Sequence, residues 1–247
     1  MTEFKDKYFL ITGASKGIGF ALAERLYALG AGLILHAATD ESLEKLKFRF
    51  KDSKHRFIKA NFFDPESLEQ VWQSQMDKNL ALSGFVNCVG VRSRRPINLL
   101  KPSHVTEVLS ANVTSFIEMV RLITKKGNYL PGLSMISISS ISAHSGGSGV
   151  TAYAASKAAT EAAVRCLAKE LYKKEIRINT LVCGQVKTEA YDELMASKSD
   201  TEDKVLERQY MGLASTQNIT DILLFLLSNQ SRFITGSSMP ADGGYLT

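Results

Sequence analysis

Tyr153 and Lys157 are the two residues of this chain whose types and spacing best fit acid–base chemistry. Residues four apart on a helix lie on the same face, one turn from each other. Tyrosine is a weak acid with an ordinary pKa of about 10, and a neighbouring ammonium group lowers that pKa by favouring the phenolate. The pair therefore predicts a proton donor or acceptor for the interconversion of a carbonyl and an alcohol. The same spacing also occurs on solvated helix faces, so other features must support this prediction.

A glycine-rich turn near the start of the chain fits the binding of a nucleotide diphosphate. Residues 12–19, Thr-Gly-Ala-Ser-Lys-Gly-Ile-Gly, lie between an apolar strand predicted over 8–11 and a helix that ends at Gly30. Glycines let the backbone approach the diphosphate closely, and the helix N-terminus supplies unpaired N–H groups and a positive dipole.

The second predicted strand, over residues 33–36, bears on the choice between NAD and NADP. In dinucleotide-binding folds an acid near the end of this strand holds the ribose 2′-OH and selects NAD. Ala37 and Ala38 follow the strand here, so no acid stands where it would repel a 2′-phosphate. Lys16 in the glycine turn could attract that phosphate, although it also fits an ordinary surface lysine. We therefore expect NADP(H) to be favoured over NAD(H).

Strands and helices alternate along the chain without a linker between them. Further strands are predicted over 57–60, 85–90, 135–140 and 177–182, with a short strand after 236. This alternation predicts one α/β domain over 1–247 with a parallel sheet. Since active sites lie at the carboxyl ends of such strands, we expect one edge of the sheet to gather the residues that follow them: Gly13, Asn87, Ser140 and Gly184.

Two predicted helices carry particular polar residues. One spans 102–124 and has Asn112 in its middle, where a polar amide among apolar positions also fits a hydrogen-bonded core residue. The other begins with Asp64 as N-cap and Pro65 as first helical residue.

Composition and charge restrict the possible partners. The 247 residues are 45% hydrophobic and 22% charged, with a net charge of +5. No apolar run reaches the ~18 residues needed to span a bilayer, and the first residues lack a signal-peptide pattern, so we expect a cytoplasmic protein without a membrane partner. The three cysteines are far apart and offer no metal-ligand spacing. Basic residues are dispersed, which argues against a nucleic-acid partner.

Two polar segments stand apart from the regular pattern. The arginine loop, residues 91–96, holds three arginines and is the densest positive patch of the chain. It fits either a solvated surface or a site for an acidic partner or substrate. A second segment, near 190–212, is polar with few apolar anchors, and it fits either a mobile substrate lid or a plain surface insertion.

Together these residues resemble the short-chain dehydrogenase/reductase family over essentially the whole chain. The glycine turn matches the family's TGxxxGIG loop, and residues 87–90, Asn-Cys-Val-Gly, match its NNAG turn imperfectly. Ser140, Tyr153 and Lys157 fall at its Ser-x12-Tyr-x3-Lys spacing, and Asn112 falls at the fourth position of its tetrad. Residues 234–236 and 242–244 match its C-terminal signature.

The resemblance implies a fold and a set of roles. The fold is a three-layer Rossmann fold with one doubly wound parallel sheet of about seven strands, usually in a homotetramer or homodimer. Tyr153 would give its proton to the substrate oxygen, and Ser140 would hydrogen-bond that oxygen. Lys157 would lower the Tyr153 pKa and bind the nicotinamide ribose, and Asn112 would hold a water. The implied cofactor-binding residues are Gly13, Ser15, Lys16, Gly17, Ile18, Gly19, Ala38, Asn61, Phe62, Asn87, Gly90, Tyr153, Lys157, Gly184, Val186 and Thr188.

Three departures from the family pattern bear on cofactor affinity. Cys88 and Val89 replace the middle of the NNAG turn. Cys183 replaces the usual proline before Gly184, which is expected to loosen the turn at the nicotinamide. Asn61 replaces the usual aspartate near the adenine, where its amide oxygen can still accept a hydrogen bond.

Within the family, the chain most resembles the 3-oxoacyl-(acyl-carrier-protein) reductases of fatty acid or polyketide biosynthesis. This implies a 3-oxoacyl thioester substrate and an acidic acyl carrier protein as partner. Its docking would use Lys125 and Lys126 or Lys173 and Lys174, which also fit simple complements to helix dipoles. A short-chain alcohol, sugar or steroid dehydrogenase is an alternative. A non-catalytic NADP-binding regulator or scaffold is another.

Overall fold

Seven parallel strands form the centre of the computed structural model, which describes residues 3–77, 80–196 and 203–247. Their order in the sheet is β3-β2-β1-β4-β5-β6-β7. Successive strands are therefore added on one side of β1 up to β3 and on its other side from β4 onward. In such sheets ligands bind at the carboxyl edge beside this reversal. The strands are β1 (Tyr8–Thr12), β2 (Gly32–Ala37), β3 (Arg56–Lys59), β4 (Leu82–Asn87), β5 (Tyr129–Ser140), β6 (Arg177–Cys183) and β7 (Ser238–Ala241).

Helices cover both faces of the sheet. They are α1 (Gly17–Ala28), α2 (Asp40–Arg49), α3 (Leu68–Gln75), α4 (Pro102–Leu109), α5 (Ser115–Ile123), α6 (Ser142–Ser145), α7 (Thr151–Leu171), α8 (Glu189–Ala196), α9 (Asp203–Arg208) and α10 (Thr216–Leu227). No helix among the described residues is long and apolar enough to cross a membrane.

Two apolar cores, one on each face, explain the three-layer arrangement. Alternate residues of a strand point to opposite faces, and β1 shows this directly. Phe9 and Ile11 pack with α1, α2 and α10, whereas Leu10 packs with α3, α5 and α7. The predicted three-layer fold with a doubly wound parallel sheet is confirmed.

The helix predicted over 102–124 is interrupted in the structure. A π-helical turn, Ser110–Thr114, separates α4 from α5 and contains Asn112. One extra residue in a single turn changes the spacing of the apolar residues only slightly, so this interruption could not be predicted from the sequence. Such π turns often occur at functional sites.

Asp64 stands at the predicted N-cap position with Pro65 as the first residue of the turn, but its side chain makes no capping hydrogen bond. The chain instead takes a 3₁₀ turn over Pro65–Ser67 before α3. Backbone and side chain of Ser67 both donate to the Asp64 carbonyl, at 3.3 and 2.8 Å. Of the lid predicted near 190–212, residues 197–202 lie outside the described residues; the flanking parts form the end of α8 and α9.

Candidate active site

Tyr153 lies in the first turn of α7, beside the carboxyl end of β5 where Ser140 is the last residue. Burial raises the pKa of the Tyr153 phenol, while a hydrogen bond from Ser140 and the charge of Arg92 lower it. The balance is upward, so Tyr153 is a protonated phenol at neutral pH. The lowering contributions come from Ser140 and Arg92. The Lys157 Nζ is 5.8 Å from the Tyr153 ring centre, and its lowering of this pKa stays a prediction.

Lys157 is buried one helical turn after Tyr153, with 4% of its surface exposed. Its Nζ donates a hydrogen bond to the Ile138 carbonyl at 2.7 Å. Burial lowers its pKa to about 8, and the nearby Glu161 carboxylate is among the groups that partly oppose this lowering. Gly90 explains how the ammonium group fits here, because a Cβ at Gly90 would lie 3.0 Å from Nζ.

Asn112 clamps the start of the arginine loop. Its Oδ1 accepts from the Val91 N–H at 2.7 Å, and its Nδ2 donates to the Val91 carbonyl at 3.1 Å and to Ser156 Oγ at 2.9 Å. Both amide protons of the side chain are used by these bonds, which join the π turn to Val91 and to α7. The sequence resemblance implied only a water-holding role, so this clamp was missed.

The glycine turn is fastened to β2 by His36. The Gly13 N–H donates to His36 Nδ1 at 3.0 Å, and the Ala14 N–H donates to the His36 carbonyl at 3.0 Å. Close packing within the turn explains Gly19, because a Cβ there would lie 2.3 Å from the Gly13 carbonyl oxygen. Ser15 and Lys16 are exposed at the tip of the turn, and Ile18 packs partly against the core.

Helix α8 touches the same glycine turn through two carboxylates. The Gly17 N–H, the first of α1, donates to Glu189 Oε2 at 3.0 Å. The Lys16 Nζ lies 3.3 Å from Glu193 Oε1. Because a diphosphate would use the same helix N-terminus, Glu189 stands in for an anionic ligand there. Neither acid could be linked to the turn from the sequence, since only their proximity in the folded chain connects them.

Of the residues expected around the adenine, some make hydrogen bonds or packing contacts within the protein. Ala38 is exposed beyond the end of β2. Asn61 Oδ1 accepts from the Phe63 N–H at 3.1 Å. The Phe62 ring is buried against His36, with ring centres 4.4 Å apart. Asn87 is also internal: its Oδ1 accepts from Thr12 Oγ1 at 2.7 Å and its Nδ2 donates to Ser137 Oγ at 3.3 Å, which ties three strands together.

The turn after β6 is held by Gln209, a residue that sequence analysis did not single out. Gln209 Oε1 accepts from the Gln185 N–H at 2.8 Å, and Nε2 donates to the Gln185 carbonyl at 3.1 Å. A Cβ on Gly184 would lie 2.4 Å from Gln209 Oε1. The looser turn expected from the loss of proline is therefore countered by this amide. Val186 is buried and pairs with Ala214, and Thr188 lies over Gly17.

A cavity of about 490 Å³ opens beside Tyr153 at the carboxyl edge of the sheet. Its lining residues come from the arginine loop, the end of β5 and α6, the glycine-rich segment 146–149, the start of α7, the turn after β6, and the end of the chain. They are Arg92, Arg94, Ser140, Ile141, Ser142, Ser145, Gly146, Gly147, Ser148, Val150, Tyr153, Gly184, Gln185, Arg208 and Tyr245.

The cysteines near this edge are not nucleophiles. Burial raises the pKa of both Cys88 and Cys183 to about 12, so each is a neutral thiol at neutral pH. Thiolate is the reactive form of cysteine. Of the residues predicted to be catalytic, Ser140 and Tyr153 line the cavity, and Lys157 is buried one helical turn from Tyr153.

The arrangement fits a nicotinamide dinucleotide. The close glycine turn and the N-terminus of α1 suit its diphosphate, and the ammonium group of Lys157 beside Gly90 suits a ribose hydroxyl. Comparison with known proteins agrees. A family described as enoyl-(acyl carrier protein) reductase matches residues 13–246. The chain belongs to the short-chain dehydrogenase/reductase family.

Individual members of the family are similar over their full length. L-xylulose reductase of Caenorhabditis elegans is 30% identical over 98% of this chain and 97% of its own. The 3-oxoacyl-[acyl-carrier-protein] reductase of Salmonella typhimurium is 28% identical over 98% of each chain. A short-chain dehydrogenase/reductase structure from Serratia marcescens has a TM-score of 0.89 at 24% identity, covering 99% of this chain and 100% of that one, and shows the fold. As a family member, this chain is an NAD(P)-dependent oxidoreductase.

Proposed function

We propose that this short-chain dehydrogenase/reductase is an NADPH-dependent ketone reductase. The observation that carries the proposal is that Ser140 and Tyr153 line the same cavity, with buried Lys157 one helical turn from Tyr153. These groups can bind and protonate a carbonyl oxygen. Bound NADPH supplies a hydride to the carbonyl carbon.

Each side chain has a role that follows from its surroundings. Ser140 donates a hydrogen bond to the substrate oxygen and so orients the carbonyl toward the cofactor site. Tyr153 delivers its phenolic proton to that oxygen as negative charge develops on it. Its raised pKa keeps the proton in place before reaction. Lys157 holds the ribose, and since its pKa is about 8 it is mainly positively charged at neutral pH. Asn112 positions the arginine loop at the cavity through Val91.

The first test removes the proton that Tyr153 supplies. Tyr153→Phe should lower kcat by at least ~100-fold, the low end of general acid catalysis, while NADPH still binds. The measurements are steady-state reduction of a ketone panel and calorimetric binding of NADPH. Tyr172→Phe is the matched control, because Tyr172 lies exposed beyond the far end of α7. Near wild-type turnover by Tyr153→Phe would refute the role. Binding without turnover of any ketone by the unmodified protein would favour the non-catalytic regulator or scaffold.

NADP(H) preference is part of the proposal and rests on Lys16 and the alanines after β2. Ala37 is buried and Ala38 is exposed, so the test places an acid at Ala38. Ala38→Asp should weaken NADPH binding by charge repulsion, whereas the uncharged Ala38→Asn should not. Lys16→Gln should weaken NADPH more than NADH, because only NADPH carries the 2′-phosphate. Calorimetric titrations with both cofactors decide, and tighter NADH binding by the unmodified protein would contradict the preference.

Two substrate classes follow from different grounds. The first is a 3-oxoacyl thioester, suggested by the sequence resemblance and by the full-length similarity to 3-oxoacyl-[acyl-carrier-protein] reductases. An acyl carrier protein would then be a partner. The second is a small polar ketone, favoured by the arginines that line the cavity. A cytoplasmic location and assembly into dimers or tetramers belong to the same proposal.

A further inference from the structure

Helix α7 carries a buried carboxylate that the proposed reaction does not use. Glu161 is only 3% exposed. Its spacing places it on the same side of the helix as Val164, Ala168 and Leu171, which pack against the sheet in one of the two apolar cores. A charged group in such a position is unfavourable unless other groups bind it. The burial of Glu161 therefore requires partners for its carboxylate.

The two carboxylate oxygens of Glu161 contact two different elements at the end of β5. Ser139, which is buried in β5, donates a hydrogen bond from its hydroxyl group to Oε1. His144 belongs to α6, the short helix that follows β5, and its Nε2 lies 3.0 Å from Oε2, within the range of an ion pair. One side chain of α7 thus links β5 and α6 to the same helix.

Ser140 lies between these two contacts. It follows Ser139 directly, and its Oγ accepts a hydrogen bond from the Ser142 N–H at 3.2 Å, where α6 begins. A hydroxyl group that accepts this bond still has its own proton to donate to a substrate oxygen. The position of the Ser140 hydroxyl group therefore depends on α6 as well as on β5, and Glu161 contacts both.

Tyr153 and Glu161 belong to the same continuous helix, α7. Tyr153 precedes Glu161 by eight residues, which is about 12 Å along the helix axis. Ser140 and Tyr153 line the same cavity, where both are proposed to contact the carbonyl oxygen of the substrate. Because Glu161 joins the residues on either side of Ser140 to the helix that carries Tyr153, its contacts constrain the distance between Ser140 and Tyr153.

We propose that Glu161 is a positioning residue, whose carboxylate holds Ser140 at the distance from Tyr153 that a substrate carbonyl oxygen requires. This proposal rests on the ketone reduction proposed above. Both hydroxyl groups must reach one oxygen when the proton is transferred, and a misplacement of about 1 Å can lower a rate by about 100-fold. Glu161 does not line the cavity, so it acts through Ser139 and His144.

Assays of Glu161→Ala test the effect on the reaction. The probes are a small acetoacetyl thioester, dihydroxyacetone and cyclohexanone, each with NADPH. We expect kcat per NADPH-binding site, with sites counted by calorimetry, to fall by about tenfold or more, while the NADPH dissociation constant changes by less than about threefold. Assays at about pH 6.5 keep Lys157 charged in every variant, since burial lowers its pKa to about 8 and Glu161 partly opposes this lowering.

Further variants separate positioning from folding. Glu170→Ala is the matched control, because Glu170 is an exposed glutamate on the same helix, and it should leave kcat unchanged. Glu161→Gln keeps the size of the side chain and one acceptor oxygen, so it should retain more of kcat than Glu161→Ala. Ser139→Ala and His144→Ala should each lower kcat per site, but should add little to the loss in Glu161→Ala. They carry the test where Glu161→Ala does not fold.

Hydrogen exchange supplies a readout that needs no turnover. Mass spectrometry of peptides covering residues 139–146 reports the backbone amides at the end of β5 and in α6. These amides should exchange about tenfold faster in Glu161→Ala than in Glu170→Ala, because the segment loses its attachment to α7.

The outcomes distinguish this proposal from the ketone reduction itself. Fewer NADPH-binding sites with an unchanged kcat per site would show that Glu161 is needed only for folding, and would overturn the proposal. Equal hydrogen exchange in Glu161→Ala and Glu170→Ala would overturn it as well. If the unmodified protein reduces none of the probes, the ketone reduction loses its support, and the exchange result alone decides whether Glu161 positions Ser140.

Discussion

His36 is the residue on which the glycine turn depends most directly. Its Nδ1 accepts from the Gly13 N–H, so the ring proton must lie on Nε2, which donates to the Ala60 carbonyl at 3.1 Å. The ring is 3% exposed and packs at a tilt against Phe62. The hydrogen bonds with the Gly13 N–H and the Ala60 carbonyl require the neutral form of the ring. Nothing in the sequence distinguished this histidine from the apolar residues around it in β2.

Acid should destabilise the protein through His36. Burial lowers its pKa from the ordinary 6.5 to about 4. The unfolded chain therefore binds a proton between pH 6.5 and 4 that the folded chain does not, and stability falls as pH falls through this window. The contribution is about 2 to 3 kcal/mol between about pH 7.5 and about pH 4.5.

The variant His36→Val tests this contribution. The variant should lack the part of the acid destabilisation that comes from His36, since the titrating group is gone. Its free energy of unfolding at neutral pH should be about 1–3 kcal/mol lower, because the Gly13 N–H is left unpaired. The measurement is urea unfolding of both proteins at several pH values. Subtracting the free energies of unfolding of the two proteins at each pH removes the contributions of the other titrating groups. These include His55, whose pKa is also lowered by burial. The same pH slope in both proteins would show that His36 is not responsible.

At the scale of elements, the contact between α8 and the glycine turn should oppose cofactor binding. Glu189 accepts from the Gly17 N–H, and Glu193 pairs with Lys16. The diphosphate of a bound dinucleotide would need the Gly17 N–H, and the 2′-phosphate of NADP(H) would need the Lys16 ammonium group. Both carboxylates must therefore give way, and they repel the incoming phosphates until they do.

Neutralising each acid separates the two effects. Glu189→Gln should tighten NADPH and NADH binding alike, by roughly three- to tenfold, the scale of about 1 kcal/mol for one exposed charged contact. Glu193→Gln should tighten NADPH more than NADH, because it releases Lys16 for the 2′-phosphate. Calorimetric dissociation constants for both cofactors give the answer. Weaker binding by both variants would mean that α8 supports the cofactor and does not compete with it.

Elements could be predicted from the sequence where local pattern determines them. Apolar runs followed by turn residues located the strands. The predicted Ser140, Tyr153 and Lys157 lie close together in the structure, with Ser140 and Tyr153 on the wall of the cavity and Lys157 Nζ 5.8 Å from the Tyr153 ring centre. Contacts between distant segments could not be predicted in this way. The π turn at Asn112, the Gln209 bonds and the two carboxylates of α8 each depend on segments that meet only in the folded chain.

At the scale of the whole molecule, two groups of basic residues lie at opposite edges of the sheet. Arg92, Arg94 and Arg208 line the cavity at the carboxyl edge. The lysines predicted to dock a carrier protein lie at the opposite edge, because Lys125 and Lys126 follow α5 and Lys173 and Lys174 lie after α7. The helix rise places Lys173 about 30 Å from Tyr153 along α7.

This distance decides how a carrier protein could be used. A carrier docked on Lys126 and Lys174 cannot be near the cavity of the same chain, so it would have to serve the cavity of a second copy in a dimer or tetramer. Lys125 contributes little to such docking, since it already pairs with Glu69 at 2.5 Å. No ion pair involves Lys126 or Lys174 within the described part of the chain, so these two are the charges to reverse.

Reversing Lys126 and Lys174 to glutamate tests whether a carrier protein docks on these lysines. If a carrier docks there, KM for a carrier-bound 3-oxoacyl thioester should rise several-fold and its salt dependence should weaken, because the attraction is between exposed charges. A small thioester mimic should be unaffected, and size-exclusion chromatography should show that the assembly is retained. If no carrier docks there, the carrier-bound and mimic thioesters should respond equally to the double variant. That equality would reject the carrier as partner and leave a reductase of small free substrates.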